Sequence, residues 1–135
     1  MSTETLKDIR VLIVDDVASA RRIIKKQLEN LGYSDIMEAD SGETAISLLS
    51  KEPCSLILSD WSMPKLGGLE LLKQLRSKEA LKNLPFIMIT STAGSEQIVE
   101  SAKAGVTDFI VKPFSTDTLE KKISGISDRI KPVIR

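Results

Sequence analysis

Four short apolar runs in this sequence each end in a residue able to do chemistry. Val11-Leu12-Ile13-Val14 runs into Asp15-Asp16, and Ser55-Leu56-Ile57-Leu58-Ser59 runs into Asp60. Phe86-Ile87-Met88-Ile89 runs into Thr90-Ser91, and Phe109-Ile110-Val111 runs into Lys112-Pro113. A carboxylate can act as a nucleophile toward phosphorus. A lysine ammonium supplies a point charge for a phosphoryl oxygen, and a threonine hydroxyl can donate to another. Carboxylates brought together either raise a pKa or recruit a cation. Two such charges about 4 Å apart repel by roughly 4 kcal/mol at an effective dielectric near 20. The chain has 0 histidines, which excludes a His-ligated metal, a His general base and a phosphohistidine. An oxygen-only donor set suits Mg²⁺, which keeps several waters and takes one or two carboxylates plus phosphate.

Each residue also has a plain reading. Asp15-Asp16 after a strand could simply cap the next helix. Asp60 before a Pro/Gly loop could be a turn acid. A strand-end lysine is ordinarily a solvated charge, and a strand-end threonine ordinarily reflects β propensity. The functional reading rests on all four occurring in order at the ends of successive strands.

The elements that must position these residues are readable from periodicity. Continuous apolar runs mark strands buried on both faces, and a weaker run at Asp35–Glu38 reads as an edge strand. Between them lie helical stripes. Ala20, Ile24, Leu28 and Leu31 form the first and Gly32 its C-cap; Ala45, Leu48 and Leu49 mark a second. Leu69, Leu72 and Leu75 begin a third, and Ile98, Val99 and Ala102 a fourth closed by Gly105. Leu119, Ile123, Ile126 and Ile130 make the stripe of a last helix that Gly125 interrupts, and residues beyond Asp128 are expected to fray. Alternation of this kind implies an α/β fold with an open, doubly wound five-stranded parallel sheet and helices on both faces. In such sheets function gathers at the C-terminal strand ends. If the strand order is 2-1-3-4-5, strands one and three are neighbours about 4.8 Å apart, and Asp15, Asp16 and Asp60 crowd together. Asp60 is the best nucleophile candidate, because it is single and lies between the acid pair and the Thr90/Lys112 side.

Bulk properties narrow the class. Lys+Arg and Asp+Glu both total 19, which argues against nucleic-acid binding and a polybasic membrane anchor. No apolar run approaches the roughly 20 residues of a bilayer span. Cys54 has no internal disulfide partner, which fits a reducing compartment. The expectation is a cytoplasmic protein. Aromatic content of 4% demands an aliphatic core.

The segments Val11–Asp16, Asp60-Trp61-Ser62-Met63-Pro64, Met88–Ser91 and Phe109–Phe114 together resemble the receiver domains of two-component response regulators, above all the stand-alone chemotaxis type. The likeness runs from about Ile9 to Ile130. It implies the flavodoxin-like order 2-1-3-4-5 and one receiver domain over 1–135, core about 9–130, with no output domain. It makes Asp60 the phosphoacceptor and gives Mg²⁺ to Asp15, Asp16, Asp60 and the backbone carbonyl of Ser62, with Asp16 a direct ligand and Asp15 partly through water. Thr90 becomes the switch hydroxyl, Phe109 the switch aromatic and Lys112 the partner of Asp60, with Lys112-Pro113 a candidate cis bond. It implies a sensor histidine kinase, a downstream target such as the flagellar motor switch on the helix 4–strand 5–helix 5 face, a phosphatase, and a monomer that catalyses only its own phosphorylation and dephosphorylation. The sequence departs from the chemotaxis pattern in having Phe109 for Tyr, Ser62 for Asn, Thr92 for an acid, and no acid before the second glycine of Lys65-Leu66-Gly67-Gly68. The Ser62 and Thr92 changes bear on dephosphorylation and on the phosphatase.

Other readings share the fold. A phosphorelay shuttle or a stand-alone regulator of another process would use the same residues. A flavodoxin-like cofactor-binding module would need a Gly/Ser/Thr phosphate cradle after strand one, where this chain has Asp15-Asp16-Val17. An aspartyl phosphatase would need a cap, and a degenerate receiver would serve only as a scaffold.

Overall fold

The computed structural model describes residues 6–91 and 94–133. Strands β1 (Arg10–Val14), β2 (Asp35–Ala39), β3 (Leu56–Asp60), β4 (Phe86–Thr90) and β5 (Asp108–Val111) form one parallel sheet in the order β2-β1-β3-β4-β5. Helices α1 (Ala18–Asn30), α2 (Gly42–Leu49), α3 (Gly68–Arg76), α4 (Ser95–Lys103) and α5 (Thr116–Gly125) alternate with the strands. This is the expected doubly wound architecture. Among the described residues no helix is long and apolar enough to cross a membrane.

The pleat sorts alternate residues to opposite faces. Val11 and Ile13 face α1 and α5, joining Ile24, Leu28, Leu119 and Ile123. Leu12 and Val14 face α2 and α3, joining Ala45, Leu49, Leu71, Leu72 and Leu75. Both layers are almost wholly aliphatic, and Phe86 is the one fully buried aromatic among the described residues. Each fully buried Leu or Ile contributes about 1.5–3 kcal/mol relative to exposure, so stability is spread over many small contacts. Helix α4 is the exception. It buries no apolar side chain; among its described side chains the buried one is Ser101, and Val99 is exposed.

Sheet register sets the site. Val14 pairs with Ser59, so Asp15 and Asp60 follow side by side where β1 and β3 end. Thr90 pairs with Val111, which leaves Lys112 one residue beyond on the next strand. The crevice above these ends lies at the switch point between β1 and β3.

The C-terminus differs from expectation. The last stripe is not one helix: α5 stops at Gly125, and a 3₁₀ turn (Ser127–Arg129) follows. Nor do the described residues after Asp128, which run to Val133, fray; Ile134 and Arg135 lie outside the described residues. The turn brings Ile126 and Ile130 into the core beside Ile9 and Leu119, and the Val133 amide donates to the Asp8 carbonyl at 2.9 Å. Two buried isoleucines outweigh the lost helical propensity of the glycine.

Cys54 packs at the entry to β3. Its thiol donates to the Leu56 carbonyl at 3.3 Å, and burial pushes its pKa up to about 11. The thiolate is the reactive form. Alkylation by iodoacetamide at pH 8 is therefore expected to run roughly 100-fold slower in the folded protein than in urea. A folded-state rate near the urea rate would show that the thiol is open to solvent.

Candidate functional site

The strand-end residues converge. One carboxylate oxygen from each of Asp15, Asp16 and Asp60 lies within 4.8 Å of the others. The three differ in exposure: Asp15 is buried, Asp60 half-buried and Asp16 exposed. Lys112 Nζ bridges two of them, at 3.3 Å from Asp60 Oδ1 and 3.3 Å from Asp15 Oδ2. The pair with Asp60 was expected; the pair with Asp15 was not. Asp15 does not cap α1, whose N-cap Val17 has no side-chain capping bond; its Oδ1 instead accepts from the Val17 amide at 2.9 Å, closing the turn that leads into the helix. Arg21 Nη1 donates to the Asp15 carbonyl at 2.7 Å and Arg21 Nε to Glu38 at 3.0 Å, which fixes that turn.

Burial raises the pKa of Asp60. Lys112 opposes that rise, and Asp15 and Asp16 add to it. Burial also works against the Lys112 ammonium, but Asp60 and Asp15 together outweigh it and hold its pKa above the usual lysine value. The result is three carboxylates sharing one cation. Repulsion is left over, and a divalent ion bound through oxygen would relieve it. The donor set therefore fits Mg²⁺. Ser62 follows two residues after Asp60, exposed, in the turn leading to α3.

Thr90 is buried at the end of β4, and its hydroxyl donates to Gln97 Oε1 of α4 at 2.8 Å. The Thr90 carbonyl accepts from the Lys112 amide at 2.8 Å, tying these two strand ends together. The Lys112-Pro113 peptide is cis. Phe109 is half-buried and packs on the α2/α3 side of the sheet. Thr92 lies outside the described residues.

Lys122 of α5 is not left to solvent. Its Nζ sits 5.0 Å from the centroid of the Phe109 ring and 3.1 Å from Asp108 Oδ1. Asp108 Oδ1 also accepts from the Phe109 amide at 2.7 Å. The only sequence signal was position: Lys122 falls between Leu119 and Ile123 at the border of the α5 stripe. Gln97 and the Asp15–Lys112 contact gave no signal at all. Lys25 is more solvated, with a long 3.9 Å approach to Glu38.

A family model described as the response regulator receiver domain matches residues 11–124. The chain belongs to this family. Its function is that of a phosphoacceptor in two-component signalling, and receivers of this kind work with a histidine kinase and a downstream target. The receiver is 46% identical over 124 residues to the chemotaxis protein CheY-3 of Vibrio cholerae serotype O1, covering 92% of this chain and 95% of that one. It is 43% identical over 122 residues to the chemotaxis protein CheY of Pseudomonas aeruginosa, covering 90% and 98%. Among solved structures, Vibrio cholerae CheY4 superposes with a TM-score of 0.82 at 32% identity, covering 87% of this chain and 98% of that one. A Francisella response regulator receiver domain superposes with a TM-score of 0.80 at 33% identity, covering 90% and 98%. These matches favour neither the cofactor-binding module nor the phosphorelay shuttle.

Proposed function

We propose that this receiver is a stand-alone chemotaxis response regulator that accepts a phosphoryl group from a sensor histidine kinase on Asp60 and changes its affinity for a target protein. The observation that carries the residue assignment is Asp60 Oδ1 at 3.3 Å from Lys112 Nζ, inside the Asp15/Asp16/Asp60 cluster. The chemotaxis names of the relatives support the pathway.

A carboxylate oxygen of Asp60 attacks phosphorus, and a P–O bond forms as the P–N bond to the kinase imidazole breaks. The leaving imidazole takes up a proton. Asp15, Asp16, Asp60 and the Ser62 carbonyl would hold Mg²⁺, which when bound neutralises charge on the phosphoryl oxygens. Lys112 supplies a second, fixed positive charge. Release is hydrolysis: water attacks phosphorus and gives up a proton to solvent, the P–O bond to Asp60 breaks, and inorganic phosphate leaves with the Asp60 carboxylate restored. The identities Ser62 and Thr92, at positions that in this family bear on hydrolysis, set the lifetime and any phosphatase contact. The protein catalyses only these steps on itself, and acts in the cytoplasm as a monomer.

Output follows from charge added at the rim. The Thr90 hydroxyl turns toward the phosphoryl group, Phe109 fills the space behind it, and the α4–β5–α5 face changes for a target such as the flagellar motor switch. A phosphoryl group shifts this equilibrium only by interacting differently with the two states.

The test uses Trp61, the single tryptophan and neighbour of Asp60. Its fluorescence is expected to quench on adding Mg²⁺ and again on adding acetyl phosphate, with the second step absent in Asp60→Asn. A folded protein that answers neither ligand would be a scaffold. Thr90→Ala is expected to keep the acetyl phosphate step while losing the phosphorylation-induced NMR shifts at Phe109 and Val99. Couplings of this kind are typically worth about 5–150-fold in affinity. Unchanged shifts in Thr90→Ala would remove Thr90 from the switch.

A further inference from the structure

Helix α4 touches the rim through Gln97. The Thr90 hydroxyl carries one hydrogen, and it donates that hydrogen to Gln97 Oε1 at 2.8 Å. While it does so, the hydrogen is not available to a phosphoryl oxygen on Asp60. Thr90 is 4% exposed, so the hydroxyl has little water to turn to instead. A buried hydroxyl gives up a partner only for another of equal quality. Both residues have further partners, so this bond is one member of a local set. Gln97 itself is half-buried and sits in the first turns of α4, the helix that buries no apolar side chain. With so little packing behind it, α4 is the element least able to resist a change of partner at the rim.

We infer that Gln97 is a positioning residue that holds Thr90 in the resting state, so that releasing the Thr90–Gln97 hydrogen bond sets part of the threshold for phosphorylation. This rests on the reading of Thr90 as the switch hydroxyl. It makes a side chain of α4, rather than the rim alone, a determinant of how readily the receiver switches.

Two substitutions separate the hydrogen bond from packing. Gln97→Met keeps length and loses the acceptor; Gln97→Glu keeps an acceptor. The full chain, with Mg²⁺ and acetyl phosphate, is followed by Trp61 fluorescence and by the NMR signal of the Phe109 ring. Gln97→Met is expected to speed phosphorylation about 3–10-fold, the ratio corresponding to one net hydrogen bond. It should also move the resting Phe109 signal part-way toward its phosphorylated position. Gln97→Glu is expected to restore the wild-type rate. In a Thr90→Val background Gln97→Met should change nothing, because no hydroxyl remains to be held. Gln97→Ala, with its melting temperature recorded, repeats the test should Met perturb the helix.

An equal acceleration in the Thr90→Val background would place the effect in α4 stability and overturn the inference. No change from Gln97→Met, with Thr90→Val itself altering the Phe109 response, would overturn the latch and leave the switch standing. A Thr90→Val protein with the wild-type Phe109 response would overturn both.

Discussion

Asp60→Asn is expected to abolish the acetyl phosphate response and, in Mg²⁺-free buffer at neutral pH, to melt higher than the wild type. The loss of response is total because no other side chain at the rim replaces the nucleophile: Asp15 is engaged by the Val17 amide and Lys112, and Asp16 faces solvent. The gain in stability follows from the direction of the Asp60 shift. Burial, with Asp15 and Asp16 adding to it, raises the folded-state pKa above the unfolded value despite Lys112. A carboxyl whose pKa rises on folding favours the folded state fully below its unfolded pKa, and that contribution is lost as pH climbs through the folded pKa. At neutral pH the ionised Asp60 is therefore a net cost. Asparagine keeps the acceptor oxygen and removes the charge. The gain is expected to be on the order of 1 kcal/mol, or about 4 °C for a domain of this size.

Two further arms sharpen this prediction. Lowering the pH into the carboxylate range should shrink the gap, since the wild type then carries a neutral Asp60 too. Adding Mg²⁺ should raise the wild type far more than the variant, because a ligand stabilises only what it binds. A variant that melts lower than wild type without Mg²⁺ would mean that the 3.3 Å pair with Lys112 outweighs the crowding of acids.

The site residues were legible in the sequence for a topological reason. A parallel strand buried on both faces reads as a continuous apolar run, and its C-terminal end is marked by the first polar residue. Asp15, Thr90 and Lys112 are such residues and Asp60 follows one place after the buried Ser59, so their shared rim followed once the sheet was doubly wound. Which group each side chain actually touches was not legible. Nothing in the residues of α4 marks Gln97, whose bond to Thr90 depends on how α4 sits over β4. Lys122 belongs to a helix whose apolar stripe was clear, yet the few ångströms that carry its ammonium to the Phe109 ring are set by the packing of α5 on β5. The C-terminal turn failed for a different reason. Ile126 and Ile130 keep a helical spacing after the helix has ended, because a 3₁₀ turn can present both to the same core.

Gly68→Ala is expected to have the largest effect on the site of any change outside the acids. Gly68 is the first residue of α3, and its amide donates to the Trp61 carbonyl at 3.0 Å. A Cβ built there would fall on the backbone oxygen of Asp60, and would lie 2.8 Å from Met88 Sδ and 3.1 Å from the Asp60 carbonyl carbon. The methionine can move aside. The Asp60 carbonyl cannot, because the next amide, Trp61 N–H, is bound to the Ile89 carbonyl at 2.8 Å. Either α3 lifts from the sheet, exposing Leu71, Leu72 and Leu75, or the end of β3 shifts and carries the Asp60 carboxylate with it. Overpacking of this kind costs about 1–3 kcal/mol. The variant should therefore lose both stability and the Mg²⁺ quench of Trp61. Gly125→Ala is the matched control. Nothing lies within 4 Å of a Cβ at Gly125, so alanine there should be neutral or stabilise by up to about 1 kcal/mol through helix propensity. Equal melting temperatures for the two variants would show that the closeness of α3 to Asp60 is not what requires glycine at position 68. A destabilised Gly68→Ala with full Mg²⁺ quenching would show that α3 moves and the acid cluster does not.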